Sequence, residues 1–65
     1  MDTIARVYDL LRERDMTLYQ LTRRSGIPYS TIKTTEKRGG QLSVDTIERI
    51  CGALEIPLSA FFAPQ

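Results

Sequence analysis

Apolar residues recur at intervals of three and four along almost the whole chain, and no stretch alternates with the period of two that a half-buried strand needs. Ile4, Val7, Tyr8, Leu10 and Leu11 lay one apolar stripe along a helix predicted from about Thr3 to Arg14, with Asp2 or Thr3 able to cap its first amides. A second helix begins at Thr17, where Thr17-x-x-Gln20 reads as a capping box, and turns Leu18 and Leu21 inward. It stops at Gly26, which enters the left-handed region without a Cβ clash just as the periodicity ends. Pro28 has the fixed φ and the missing amide hydrogen that suit the start of a third helix, from Pro28 or Tyr29 through about Lys37, anchored by Ile32 and ended by Gly39-Gly40. Ser43 caps a fourth, Val44 to about Leu54, whose buried face is Ile47, Ile50, Cys51 and Leu54. Glu55-Ile56-Pro57 breaks it, and the segment from Leu58 to Phe62 has room for one closing turn or two. The expectation is a compact all-α domain of five short helices spanning residues 1–65.

A chain of 65 residues supports one small core and no second domain. With one Cys and no His, it has no internal disulfide and too few ligands for the usual zinc, iron or haem sites, so no metal or cofactor is expected. No apolar run reaches the roughly 18 residues of a membrane span, and charge is interleaved through MDTIARVYDLLRERD where a signal peptide needs an apolar block. A cytoplasmic protein with no membrane association is the expectation. The missing His and the short length also argue against an enzyme and against an enclosed small-molecule site. The net charge of +1 hides a segregation. Between residues 16 and 40, Arg23, Arg24, Lys33, Lys37 and Arg38 face one acid, Glu36, a net of +4, whereas the rest sets four arginines against seven acids, a net of −3. Such a split fits a protein with one surface turned to a polyanion; on charge alone, a solvated basic face without a partner fits equally.

Two short helices joined at Gly26, the second opening at Pro28, form the unit of a DNA-binding helix-turn-helix. The run Met16-Thr17-Leu18-Tyr19-Gln20-Leu21-Thr22-Arg23-Arg24-Ser25-Gly26-Ile27-Pro28-Tyr29-Ser30-Thr31-Ile32 resembles the helix-turn-helix of the phage repressor and Cro family, also called XRE-like. The similarity continues through Ser43-x-x-Thr46-Ile47-x-x-Ile50 and Ala53-Leu54-x-Ile56 to Leu58-x-x-Phe61-Phe62, nearly the whole chain. The resemblance implies a lambda-repressor-like domain that binds double-stranded DNA, with the start of the third helix in the major groove. That assigns base contacts to Tyr29, Ser30, Lys33 and Thr34, Lys33 foremost because an ammonium can donate to the acceptor edge of guanine. It implies phosphate contacts from Thr17, Leu18 and Tyr19 at the start of the second helix, and from Lys37, Arg38 and the amides of Gly39 and Gly40 beyond the third. Arg23 and Arg24 read as solvated surface.

One short helix reads few base pairs, so a homodimer on a palindromic operator is expected, with Leu58, Phe61, Phe62 and Pro64 as the self-contact. The function implied is a small transcriptional regulator, most simply a repressor. The alternative is a protein-interaction module on the same fold, an antitoxin or antirepressor that works through its apolar C-terminal end. Tyr8, Phe61 and Phe62 read as packing residues rather than a base-stacking platform, and Cys51 as an inert core thiol. The chain departs from the family pattern at Thr35, where a large aliphatic is usual, at Arg38, often Gly, and at Thr22, usually Ala. Thr35 weakens the core beneath the third helix, and Thr22 is expected to bond back to its own helix.

Overall fold

The Asp2 carboxylate accepts from the Ala5 amide at 3.1 Å and opens α1 (Thr3–Glu13). A computed structural model describes residues 1–63 and continues with α2 (Leu18–Ser25), α3 (Tyr29–Arg38), α4 (Val44–Leu54) and α5 (Leu58–Phe62). The caps expected from the sequence are in place. Thr17 Oγ1 accepts from the Gln20 amide at 3.1 Å while Gln20 Oε1 accepts from the Thr17 amide at 2.9 Å, and Ser43 accepts from the Thr46 amide at 3.2 Å. Gly26 and Gly39 end their helices at φ 75° and 69°. Nothing lies within 4 Å of a Cβ built on either, so the backbone angle rather than space calls for glycine there. With Asp2 as the cap, Thr3 turns inward: its amide and hydroxyl both donate to Gln41 Oε1 at 2.8 Å, and its oxygen accepts from the Leu42 amide at 2.8 Å. These bonds pin the loop after α3 to the start of α1.

All five helices feed one core. Val7, Leu21, Ile32, Ile47, Ile50 and Phe61 are its fully buried side chains, joined by Ile27 from the turn and Leu42 from the loop. Cys51 lies in this core, and burial, then the nearby Glu48 charge, pushes its thiol pKa up, which keeps it protonated and unreactive. Thr22 is buried and donates to Tyr19 O at 2.9 Å, as expected. Ile32 is the single buried residue of α3, and Thr35 is half-buried with its hydroxyl on Thr31 O at 2.9 Å. Phe61 corrects the sequence reading. Assigned there to a self-contact, it has no exposed surface, because the one turn of α5 points it into the core while Leu58 and Phe62 stay exposed. Pro64 lies outside the described residues.

Arg6 holds that turn in place. It is 7% exposed, donates Nε to Phe61 O at 2.6 Å and Nη2 to Ala60 O at 2.8 Å, and keeps Nη1 within 3.8 Å of Glu13. A helix of five residues cannot sustain itself, and its last carbonyls have no partner within the helix. A cation on those carbonyls satisfies them and complements the helix dipole. Arg6→Met, which retains much of the apolar stem, is expected to lower unfolding free energy by about 1.5 to 3 kcal/mol, the worth of hydrogen bonds to a charged group. Urea denaturation reads this as a lower midpoint at an unchanged slope; an unchanged midpoint would show the clamp to be idle.

Candidate nucleic-acid interface

The turn between α2 and α3 is fixed at both ends. The Gly26 amide donates to Thr22 O at 3.0 Å, and Ile27, 4% exposed, plugs the turn into the core. Pro28 then sits in extended backbone at φ −60° and α3 leaves from it. With Ile32 turned inward, Tyr29, Ser30, Lys33 and Thr34 all present exposed side chains on one helix directly beyond the turn. Polar and hydroxyl groups at those positions match what base edges in a major groove accept and donate.

At the start of α2 the capping box occupies Thr17 and Gln20, and no described residue accepts from the amides of Leu18 or Tyr19. Two outward amides at a helix N-terminus suit an anionic oxygen. The Leu18 side chain is buried, so Leu18 has only its backbone to offer. Tyr19 is exposed, and its phenol oxygen accepts from Arg23 Nη1 at 3.2 Å while the guanidinium carbon lies 5.7 Å from the ring centroid. Arg23, read from the sequence as solvated surface, therefore stands on Tyr19. Their spacing of four along a helix was the signal available for this contact.

The far end of α3 differs from expectation. The Gly39 amide donates to Glu36 O at 3.1 Å and the Gly40 amide to Thr35 O at 3.0 Å. Both close the last turn of their own helix, so neither is left for a phosphate, and of the four residues expected there only the exposed side chains of Lys37 and Arg38 remain available.

Lys33 is not free in the unbound protein. Its ammonium donates to Glu36 Oε1 at 3.0 Å, and the same oxygen accepts from the Tyr8 hydroxyl at 3.0 Å. Tyr8 is half-buried on α1, so its ring packs against the core as expected, but its hydroxyl emerges at α3. Bonds from Lys33, then Tyr8, hold the Glu36 carboxyl below its ordinary pKa; the bond to Glu36, then the nearby Tyr8 oxygen, raises that of Lys33. Burial and then the Glu36 contact push Tyr8 up. A lowered folded-state pKa means the contribution of Glu36 to stability is present at neutral pH and is lost as the pH falls through that lowered value. Solvent screening keeps it small, since both partners are exposed. An NMR titration of the Glu36 carboxyl is expected to give a midpoint below that of an ordinary glutamate, rising in both Tyr8→Phe and Lys33→Ala. An ordinary midpoint unmoved by either change would contradict the shared contact.

Among the described residues, no helix is long and apolar enough to cross a membrane, and no group of three or more His, Cys, Asp or Glu could hold a metal. Neither the curated proteins nor the solved structures contain a match to this chain. A family model described as the Cro/C1-type HTH DNA-binding domain matches residues 6–63, from the clamp residue Arg6 through the helix-turn-helix and past the last turn of α5. With that match over nearly its whole length, and with the capped helices and left-handed glycine turn described above, the chain belongs to the Cro/C1-type helix-turn-helix family of DNA-binding domains.

Proposed function

We propose that this DNA-binding protein is a cytoplasmic transcriptional repressor that reads a specific sequence as a homodimer on an approximately palindromic operator. The observation that carries the reading is the face of α3: Tyr29, Ser30, Lys33 and Thr34 stand exposed beyond a rigid turn, within the segment of net charge +4. In this reading those four side chains meet base edges. The amides of Leu18 and Tyr19, the Thr17 and Tyr19 hydroxyls, and the side chains of Lys37 and Arg38 grip phosphates on either side. Because Arg23 donates to the Tyr19 oxygen, Tyr19 keeps its own hydroxyl hydrogen for an acceptor outside the protein. Repression by occluding a promoter is the simplest action for a module of this size.

Dimerisation follows from reach. A module of this kind buries about 600 to 1,000 Å² on DNA, too little for one copy to discriminate well, and two copies place their reading helices roughly 34 Å apart in successive major grooves. Leu58, 38% exposed, and Phe62, 44% exposed, are the apolar residues of α5 left for a second copy, with Phe61 supporting them from beneath.

Two outcomes test the division of roles. Lys33→Ala is expected to cost about 1 to 3 kcal/mol on the cognate duplex and much less on random DNA. Lys37→Ala should weaken both alike and lower the slope of log affinity against log salt by about one. Equal losses for both variants on both duplexes would refute the assignment. For the dimer, Phe62→Glu should leave only monomer in sedimentation with operator present; a wild-type chain that is monomeric with and without operator would remove the dimer. DNA affinity that does not fall with salt would favour the antitoxin or antirepressor reading instead.

A further inference from the structure

Glu36 belongs to neither the base-reading nor the phosphate-gripping set, yet α1 meets the reading helix at its Oε1. It is the only acid between residues 16 and 40, and a carboxylate there repels the phosphates that the surrounding cations attract. Its two donors give it a use. Tyr8 reaches it from 28 residues away at 3.0 Å, and Lys33 from the preceding turn of α3 at 3.0 Å. Tyr8 packs against the core, so the carboxylate is tethered to a rigid helix rather than to another mobile surface chain. Lys33, 47% exposed, is a point charge with three hydrogens on a flexible stem. With one hydrogen on Glu36, two remain to donate.

We propose that Tyr8 and Glu36 are positioning residues for base selection, fixing the Lys33 ammonium before DNA arrives; this rests on Lys33 being a base reader. An untethered lysine on this face can swing to any nearby phosphate and so strengthens binding to every duplex. One held on Glu36 is kept from the phosphates and presents its two remaining hydrogens in one direction, which favours a base offering acceptors there. Tyr8 and Glu36 therefore act on discrimination more than on affinity. The Glu36 carboxyl is ionised at neutral pH, as an ordinary glutamate is, so the tether is charged there.

The test compares affinity for the duplex that the wild-type chain enriches from a random pool with affinity for a scrambled duplex of the same composition. Tyr8→Phe deletes one hydroxyl, keeps the ring in its packing place and leaves the net charge unchanged. It is expected to lower the ratio of the two affinities about two- to tenfold, the scale of one immobilised long side chain. On a Lys33→Ala background the same change should alter the ratio by less than about twofold, because the group being positioned is gone. Glu36→Gln should lower the ratio mainly by tightening binding to the scrambled duplex. An unchanged ratio in Tyr8→Phe overturns the inference. So does a Tyr8→Phe loss that persists in full on the Lys33→Ala background, since Tyr8 would then act only by steadying the fold. A Lys33→Ala chain that discriminates as well as wild type is a separate result: it removes Lys33 as a base reader, and the positioning role with it.

Discussion

Ile32 is the single buried residue of α3, and the position of this helix depends on how that thin attachment is reinforced. A ten-residue helix with one core side chain has little packing of its own to fix its rotation. Reinforcement comes at its ends and on its flank. Ile27 and the left-handed Gly26 set the direction of entry, Gly39 closes the exit, and the Tyr8 hydroxyl ties the last turns to α1 through Glu36. Thr35, where the family usually has a large aliphatic, stays half-buried and spends its hydroxyl on its own helix, so the tie through Glu36 falls where apolar packing is weakest. This second helix of the helix-turn-helix is held more by polar and backbone geometry than by buried area.

A second polar device sets the frame against which that helix is held. Arg6 draws the carbonyls of Ala60 and Phe61 onto α1, and this seats Phe61 in the core alongside Leu21, Ile47 and Ile50. In a domain this small, one aromatic side chain is a large share of the apolar area available, so a five-residue helix with no side-chain cap becomes part of the structure only through its neighbours. Thr3 completes the frame by fixing Gln41 and Leu42, which sets where the chain leaves α3. Three side chains of α1, Thr3, Arg6 and Tyr8, thus organise the loop, the last helix and α3 in turn.

The helix caps and the turn between α2 and α3 were legible in the sequence. The Thr17–Gln20 box, the Ser43 cap, the Gly26 turn and the span of α4 all follow from spacing and residue type, and each appears where those place it. What could not be read is which polar atoms meet across the fold. Arg6 looked like one more arginine in an acidic remainder, and its partners lie 54 and 55 residues away. Periodicity told that Tyr8 packs inward, but not that its hydroxyl emerges at Glu36. It equally could not tell that α5 would make a single turn and so turn Phe61 away from the surface. The amides of Gly39 and Gly40 were misread for a related reason: a helix end can keep its amides or offer them, and only the backbone angles decide. For the candidate site, the exposed face of α3 and the α2 N-terminus were readable from the motif and the Arg23–Tyr19 contact had a signal in its helical spacing, whereas the reach of Tyr8 to Glu36 across the fold needed coordinates.

The central claim is that α3 reads a base sequence and that two copies do so together. It is tested most directly by selection from a random duplex pool at about 150 mM salt, where non-specific electrostatic binding is substantially weakened. The account predicts enrichment of a near-palindrome whose half-sites lie about one helical turn apart. Recovery of nothing above background would contradict it.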